Sequence, residues 1–500
     1  MSLSSASNIA KSGLNTVSAE SSVLSRNITG ASDTATYSRK IANVISTLDG
    51  SRVASVTRAS NLAVFGNLLG ATSASATQNA ISDGLDTLNQ TVGDVSSSGS
   101  STTSNSTSPA ALLSNFTNAL QSYEASPSSS TLAAAAVSAA AAAARGLNSA
   151  VATVNQVREQ ADSGIAASVQ TINSLLGQFQ TVNAQIVGGS ATGGDVTDLQ
   201  DSRDSILTKL AQQIGITTTT GSNGDMSIYT DSGVTLFQGG AARSVTFSPT
   251  NTYTAATSGN AVFADGIPIT GNSAAMPVAT GKIAGLASLR DSLAVTYQAQ
   301  LDGIAGALIN AFSETDQAAP GPDLPGLFTT QGATSLPTST TGLAGQITVN
   351  PSVDPSQGGN ALLLRDGGIS DTANSDYTYN TTGDASYTAR LSQLLAKLSA
   401  TQTYSASGGI ITSANLSDYA AASVSWLEAQ RSDVSSQSNY QSTLLSTAAT
   451  ALSNATGVNI NDEMSKMLDL ENSYSATAKL LTTIDGMFSM LMTDLGNLPA

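Results

Sequence analysis

The sequence predicts a mainly α chain with β-rich insertions, elongated and built from nested discontinuous domains. Paired terminal helices, a helical-bundle body and outer β domains are expected. Three observations lead there. Apolar residues recur at helical steps at both ends of the 500-residue chain. An alanine-rich stretch of helix formers fills much of its first half. Two turn-rich, β-like stretches interrupt the helices, and an inserted unit leaves its host to close around it from both sides.

Leu3, Ala6, Ala10, Leu14, Val17, Leu24 and Ile28 step by three, four and seven and predict a helix from about Ser4 to Ile28. Tyr37 to Leu62 is rich in β-branched residues and reads as extended. A helix is expected over Gln78–Val95, then a Gly/Ser-rich linker over Ser96–Pro109. Pro109–Tyr123 reads as a short helix and Ser130–Ile186 as a long one. Thr197-Asp198-Leu199-Gln200 fits a capping box for a further helix reaching about Ile214. From Ile216 to about Val278, β-formers alternate with Gly/Asn/Asp turns, the pattern of hairpins. Helix returns over Gly281–Phe312, where Ile283, Leu286, Leu289, Leu293, Tyr297, Leu301, Ile304, Leu308 and Phe312 average about 3.6 residues per step. Pro320–Gly383 is Pro/Gly-rich and β-like, and from Tyr387 the chain is mainly helical.

The expected units are 1–35 with 457–500 as a terminal helical domain, and 36–215, 281–319 and 384–456 as the helical body. Residues 216–280 form a β-rich insertion and 320–383 a second, Pro/Gly-rich one.

The tail bears the strongest pattern. Ile460, Met464, Met467, Tyr474, Ala478, Leu481, Ile484, Phe488, Leu491 and Leu495 lie on one helical stripe. Leu468, Leu470, Leu480, Met487 and Met490 lie off it, which implies burial on more than one side. Such a helix at a chain end needs a partner.

Composition excludes much chemistry. Lys plus Arg number 19 against 35 Asp plus Glu, a net charge of −16. Binding to nucleic acid or an anionic membrane surface relies on cations, so neither is expected as a partner. Cysteine and histidine are both absent. That removes thiolate nucleophiles, disulfides, zinc–sulfur sites and every His-based triad. No basic-plus-apolar secretory signal opens the chain, and the longest apolar run, Leu132–Ala144, is too short and too alanine-dominated to span a bilayer.

No local motif supports catalysis. Gly188–Gly194 and Gly281-Lys282 lack the P-loop pattern and read as helix-capping and loop glycines. Asp195, Asp198, Asp201 and Asp204 step by three at a helix start. They read as acids favoured by the helix dipole, with Arg203 and Lys209 nearby, rather than as a cation site. Trp426 reads as core. No cofactor and no metal are expected.

Together the terminal signatures resemble the flagellar hook-associated protein 1 family. Ser12-Gly13-Leu14-Asn15, Asn27-Ile28 and Tyr37-Ser38-Arg39-Lys40 match its N-terminal signature, with departures at Arg26, Thr29-Gly30 and Ala35-Thr36. Gly457-Val458-Asn459-Ile460, Asp462-Glu463-Met464, Tyr474-Ser475-Ala476 and Ala478-Lys479 match its C-terminal signature. Stretches from Asp198 and from Gly281 resemble its central helices. The resemblance implies a structural adaptor joining hook to filament, with no catalysis, located extracellularly in the bacterial flagellum. It implies type III export without a cleaved signal peptide, with help from an export chaperone. Implied partners are a ring of copies of itself, hook protein and hook-associated protein 3. The expected assembly interface is Leu3, Leu14, Val17, Leu24 and Ile28 with Ile460, Met464, Met467, Tyr474, Leu481, Ile484, Phe488, Leu491 and Leu495. Two other readings fit the composition: an acidic surface-layer or adhesin-like secreted protein, and a carboxylate-dependent hydrolase housed in an insertion.

Overall fold

The computed structural model describes residues 2–33, 36–48, 50–92, 107–250, 252–319 and 321–496. Helix α1 (Leu3–Gly30) starts at Ser2, whose hydroxyl accepts the Ser5 N–H. An antiparallel hairpin follows, β1 (Lys40–Thr47) and β2 (Gly50–Arg58), with a bulge between Asn43 and Val44. A lone two-stranded hairpin is marginal in water. This one lies along α1 and is fastened there: Ser12 and Thr16 hydroxyls donate to the Ser51 carbonyl at 2.5 and 2.6 Å.

Helix α2 (Leu62–Asn89) begins 16 positions before the predicted Gln78. Gly66, Gly70 and a run of small polar residues dilute the periodicity there, yet Phe65, Leu68 and Leu69 anchor the early turns in the core. Residues 96–106 of the predicted linker lie outside the described residues, and Pro109 opens α3 (Pro109–Ala125) rather than closing a loop. Helix α4 (Ser130–Ala191) is 62 residues long. Its composition and length would allow a membrane span. Instead Ala133, Ala136, Ala140 and Ala144 are buried under neighbouring helices, where the small side chain permits close approach.

Helix α5 (Thr197–Gln213) has no capping box: Val196 stands at the cap and makes no side-chain bond. Asp195 takes that role, accepting the Thr197 N–H at 3.0 Å and its hydroxyl at 2.7 Å. A carboxylate two residues upstream outcompetes a hydroxyl for the exposed donors.

The β insertion contains two small sheets. One is β3 (Ile216–Thr220), β4 (Met226–Thr230), β5 (Thr235–Gln238) and β6 (Ala241–Ala242), paired antiparallel in that order. The other is β7 (Val245–Thr246), β8 (Phe263–Ala264) and β9 (Ile267–Pro268). Gly281 then turns the chain with φ 99°, where a Cβ would sit 2.5 Å from Ile214 Cα, so only glycine fits. The predicted Gly281–Phe312 helix forms as α6 (Lys282–Ser288) and α7 (Ala294–Ala311), joined by a π-helical turn at Leu289–Leu293.

The 320–383 stretch is less β-like than predicted. It holds one strand pair, β10 (Phe328–Thr330) with β11 (Ile347–Val349), a short α8 (Leu363–Asp366) and turns. Side chains replace the missing ladder: the Asp302 carboxylate accepts the Gly342 and Ala344 N–H groups at 2.7 and 2.9 Å. Helix α9 (Ala389–Ser399), the pair β12 (Gln402–Thr403) and β13 (Ser413–Ala414), α10 (Leu416–Thr456) and α11 (Ile460–Gly496) complete the chain.

Helix α4 packs on α3, α5, α6 and α7; α10 runs along α2; α11 runs along α1. Thus the chain ends pair with each other and the body closes around both insertions.

A buried polar network ties the β insertion to this body. The π turn includes Arg290, which is fully buried and donates to Asp162 at 2.6 Å. Asp162 also accepts the Tyr253 hydroxyl and the Thr250 N–H, both at 2.7 Å. Arg158 donates to the carbonyls of Arg290, Thr254 and Thr257 at 3.1, 2.9 and 2.5 Å. Removing one partner from such a cluster leaves uncompensated buried charge. Asp162→Ala should cost roughly 3 kcal/mol in urea unfolding and speed hydrogen exchange at residues 245–270. Unchanged exchange there would show that the network does not hold the insertion.

Candidate assembly interface

Helices α1 and α11 are antiparallel. Gly13 lies near Thr477, where a Cβ would be 3.6 Å from its methyl, while Asn27 reaches Glu463. The predicted tail stripe is covered unevenly along α11. Ile484, 2% exposed, packs inward, and Met467, Leu481 and Phe488 are half-buried. Ile460, Met464, Tyr474 and Leu491 face solvent, together with off-stripe Leu468, Leu480, Met487, Met490 and Met492. On α1, Leu24 is buried and Leu3, Leu14, Val17 and Ile28 are half-buried. The side chain of Leu495 lies outside the described residues.

The helix pair is knotted to the hairpin by Asn27, which is fully buried. Its amide nitrogen donates to the Lys40 carbonyl at 2.9 Å and to Glu463 Oε2 at 2.7 Å. Its oxygen accepts the Lys40 N–H at 2.8 Å and the Tyr37 hydroxyl at 3.0 Å. Glu463 is 1% exposed and receives Lys466 Nζ on its other oxygen at 3.1 Å. Tyr37 lies against Gly30, where a Cβ would come within 2.6 Å of the ring. Burial pushes the Tyr37 hydroxyl up to about 12, so it stays a donor.

The hairpin is in turn clamped to the body through the four aspartates of the α5 start. Arg26 pairs with Asp195 and Asp198, both at 2.8 Å. Lys40 pairs with Asp201 and, at 3.4 Å, with Asp198; the Lys40 side chain is 0% exposed. Arg58 pairs with Asp201 at 2.9 Å and Asp204 at 2.6 Å. Burial pushes the Asp204 carboxyl up, against the pull of Arg58. Burial also opposes the Asp195 carboxylate, but hydrogen bonds from Arg26 and Thr197 outweigh it and hold its pKa down. The dipole reading of these aspartates was therefore incomplete: their main partners are cations from the N-terminal segment, not Arg203 and Lys209. The spacing of the acids is visible in the sequence. The identity of partners well over a hundred residues away is not.

Two family models match parts of the chain, one of them including Glu463 of this knot. A family model described as flagellar basal body rod FlgEFG protein C-terminal matches residues 451–494, which include most of α11. One described as flagellar hook-associated protein FlgK helical domain matches residues 100–331, which span α3 to β10. Over these residues the chain is similar to the FlgK family of flagellar hook-associated proteins. That family is structural and its place is the bacterial flagellum. Among solved structures the chain is similar to the flagellar hook junction protein FlgK from Burkholderia pseudomallei, 21% identical, with a TM-score of 0.41. The match covers 53% of this chain and 46% of that one. No curated protein matches.

Asn27→Asp sets a carboxylate against buried Glu463 and should weaken docking of α11 by roughly 2–4 kcal/mol. Trypsin should then cut at Lys466 and Lys479 about tenfold faster or more, while α4 stays protected. Equal protection of the tail would show that Asn27 does not hold it.

Proposed function

We propose that the chain is a junction subunit that joins hook to filament by polymerising through its terminal helices. It acts by assembly, not catalysis. The observation that supports this most is the outward face of α11. Met464 and Leu468 are 53 and 59% exposed on the side of α11 turned away from α1, and Tyr474, Leu491 and Met492 are 50, 47 and 69% exposed further along it. Exposed apolar residues recurring along a helix in this way mark an interaction surface. Its partner is a different surface of a neighbouring copy, so that copies close into a ring. Hook protein then meets the ring on one side and hook-associated protein 3 on the other. Export proceeds through the type III channel, with an export chaperone shielding this face beforehand and the mature protein held outside the cell. The proposed interface is the solvent-facing part of the predicted set, Ile460, Met464, Tyr474 and Leu491 with half-buried Leu3, Leu14, Val17, Ile28, Met467, Leu481 and Phe488. Leu24 and Ile484 act within the chain.

Two substitutions separate the faces. Leu468→Asp places a charge only on the outward face, so monomer stability should change by less than about 0.5 kcal/mol. Electron microscopy should show bare hooks, with filament subunits released into the medium. Ile484→Asp should instead loosen α11 from α1 in the monomer, costing on the order of 2–4 kcal/mol. Normal filaments with Leu468→Asp would refute assembly through this face.

A further inference from the structure

We propose that a cleft in the β insertion binds a neutral saccharide, an activity separate from assembly. The cleft, of about 960 Å3, lies between the β7–β9 sheet, the loops around it and the facing turns of α4 and α7. Small-ligand pockets measure roughly 300–1,000 Å3, so the space suffices. Its floor is fixed by the chain itself. Arg158 donates to the carbonyls of Thr254 and Thr257, and Arg290 to that of Asn260, which pins the loop between β7 and β8. Gly259 lies so close to Arg290 that a Cβ there would come within 2.3 Å of the guanidinium. Asn260 secures the loop from its other side, donating to the Ser248 carbonyl at 3.0 Å.

The lining selects against ions. Of the described residues that line the cleft, Arg158 and Asp291 alone are charged. Arg158 is buried, gives its donors to three carbonyls and lies over the Tyr253 ring at 4.5 Å. Asp291 is held by Arg290 Nε and Nη2 at 2.9 and 2.8 Å. An anion therefore meets no free cation, and a cation meets a carboxylate already paired. What remains available is neutral. The hydroxyls of Ser248, Ser258 and Ser273 and the amide of Asn272 line the cleft and make no hydrogen bond with the described residues. The Asp291 side chain is 26% exposed, and each of its oxygens keeps a lone pair for a ligand hydroxyl. Phe263, 37% exposed, stands in the wall with Phe247 and Val295. Hydroxyl and amide groups beside phenyl rings match a pyranose. Its hydroxyls bond at the ring edge, while its slightly positive C–H face packs on the negative face of an aromatic ring.

The test places the purified full chain on an array of neutral hexose and N-acetylhexosamine oligosaccharides, each beside its sulfated counterpart, together with a random peptide library. A neutral series should bind, and its sulfated counterpart at least about tenfold more weakly. The bound neutral saccharide should slow hydrogen exchange at residues 255–260 and leave α11 unaffected. Phe263→Ala, and Ala256→Trp at an exposed position on the cleft wall, should each weaken binding at least about tenfold. Ala256→Trp should leave thermal unfolding and filament attachment unchanged. No neutral saccharide bound, a preference for the sulfated series, or binding that survives both variants would overturn the proposal. Peptides bound in place of saccharides and blocked by Ala256→Trp would assign the cleft to a peptide and also overturn it. Bare hooks with a folded Ala256→Trp chain would show that the cleft serves assembly, which overturns the saccharide and leaves the assembly reading standing.

Discussion

One buried amide fixes the relation of both chain ends to the rest of the molecule. Asn27 lies out of reach of water, and its side chain bonds to β1 through both polar atoms, to α11 through its nitrogen and to Tyr37 through its oxygen. Inside a protein such bonds are strong when complete and costly when broken. α1, the hairpin and α11 therefore come together as a unit or not at all. The same segment supplies Arg26, Lys40 and Arg58, whose charges meet the acidic start of α5. Lys40 joins the two devices. Its backbone serves Asn27, and its ammonium serves Asp201 while lying 4.8 Å from the centre of the Tyr37 ring. Buried charges of this kind add less net stability than orientation, since their desolvation offsets much of their attraction. They define the angle at which the paired helices leave the body.

That angle matters because the pair presents a face still unfilled. α11 is amphipathic twice over. Its inner face covers α1, and its outer face carries methionines and leucines that stay exposed among the described residues. Methionine, flexible and polarisable, suits a surface that must accommodate neighbours on a curved assembly. A rigid clamp behind an adaptable apolar face is a reasonable design for a subunit repeated around an axis.

How much of this was legible depended on the distance over which each signal acts. Local periodicity placed α1, α3, α4 and α11 to within a few residues. α2 was recognised late because Gly66, Gly70 and small polar residues hide the turns that Phe65 and Leu68 hold. The capping box at Thr197 was a correct pattern superseded by Asp195, a competitor two residues away. Apolar residues on more than one side of the tail are visible in the sequence. A one-dimensional stripe, however, could not say that Ile484 faces α1 and Met464 faces outward, since this depends on the twist of one helix about another. The clamp was the least legible feature. Asp201 and Lys40 are 161 positions apart, and nothing in either neighbourhood names the other.

The central claim is that the two faces of α11 have separate partners, one within the chain and one between chains. Electron cryomicroscopy of isolated hook–filament junctions, at a resolution that shows side chains, tests it most directly. The account predicts Met464, Leu468 and Leu491 in contact with neighbouring subunits, and Ile484 and Glu463 still on α1 of their own subunit. A junction in which Ile484 packs between subunits while Met464 and Leu468 remain in solvent would contradict it.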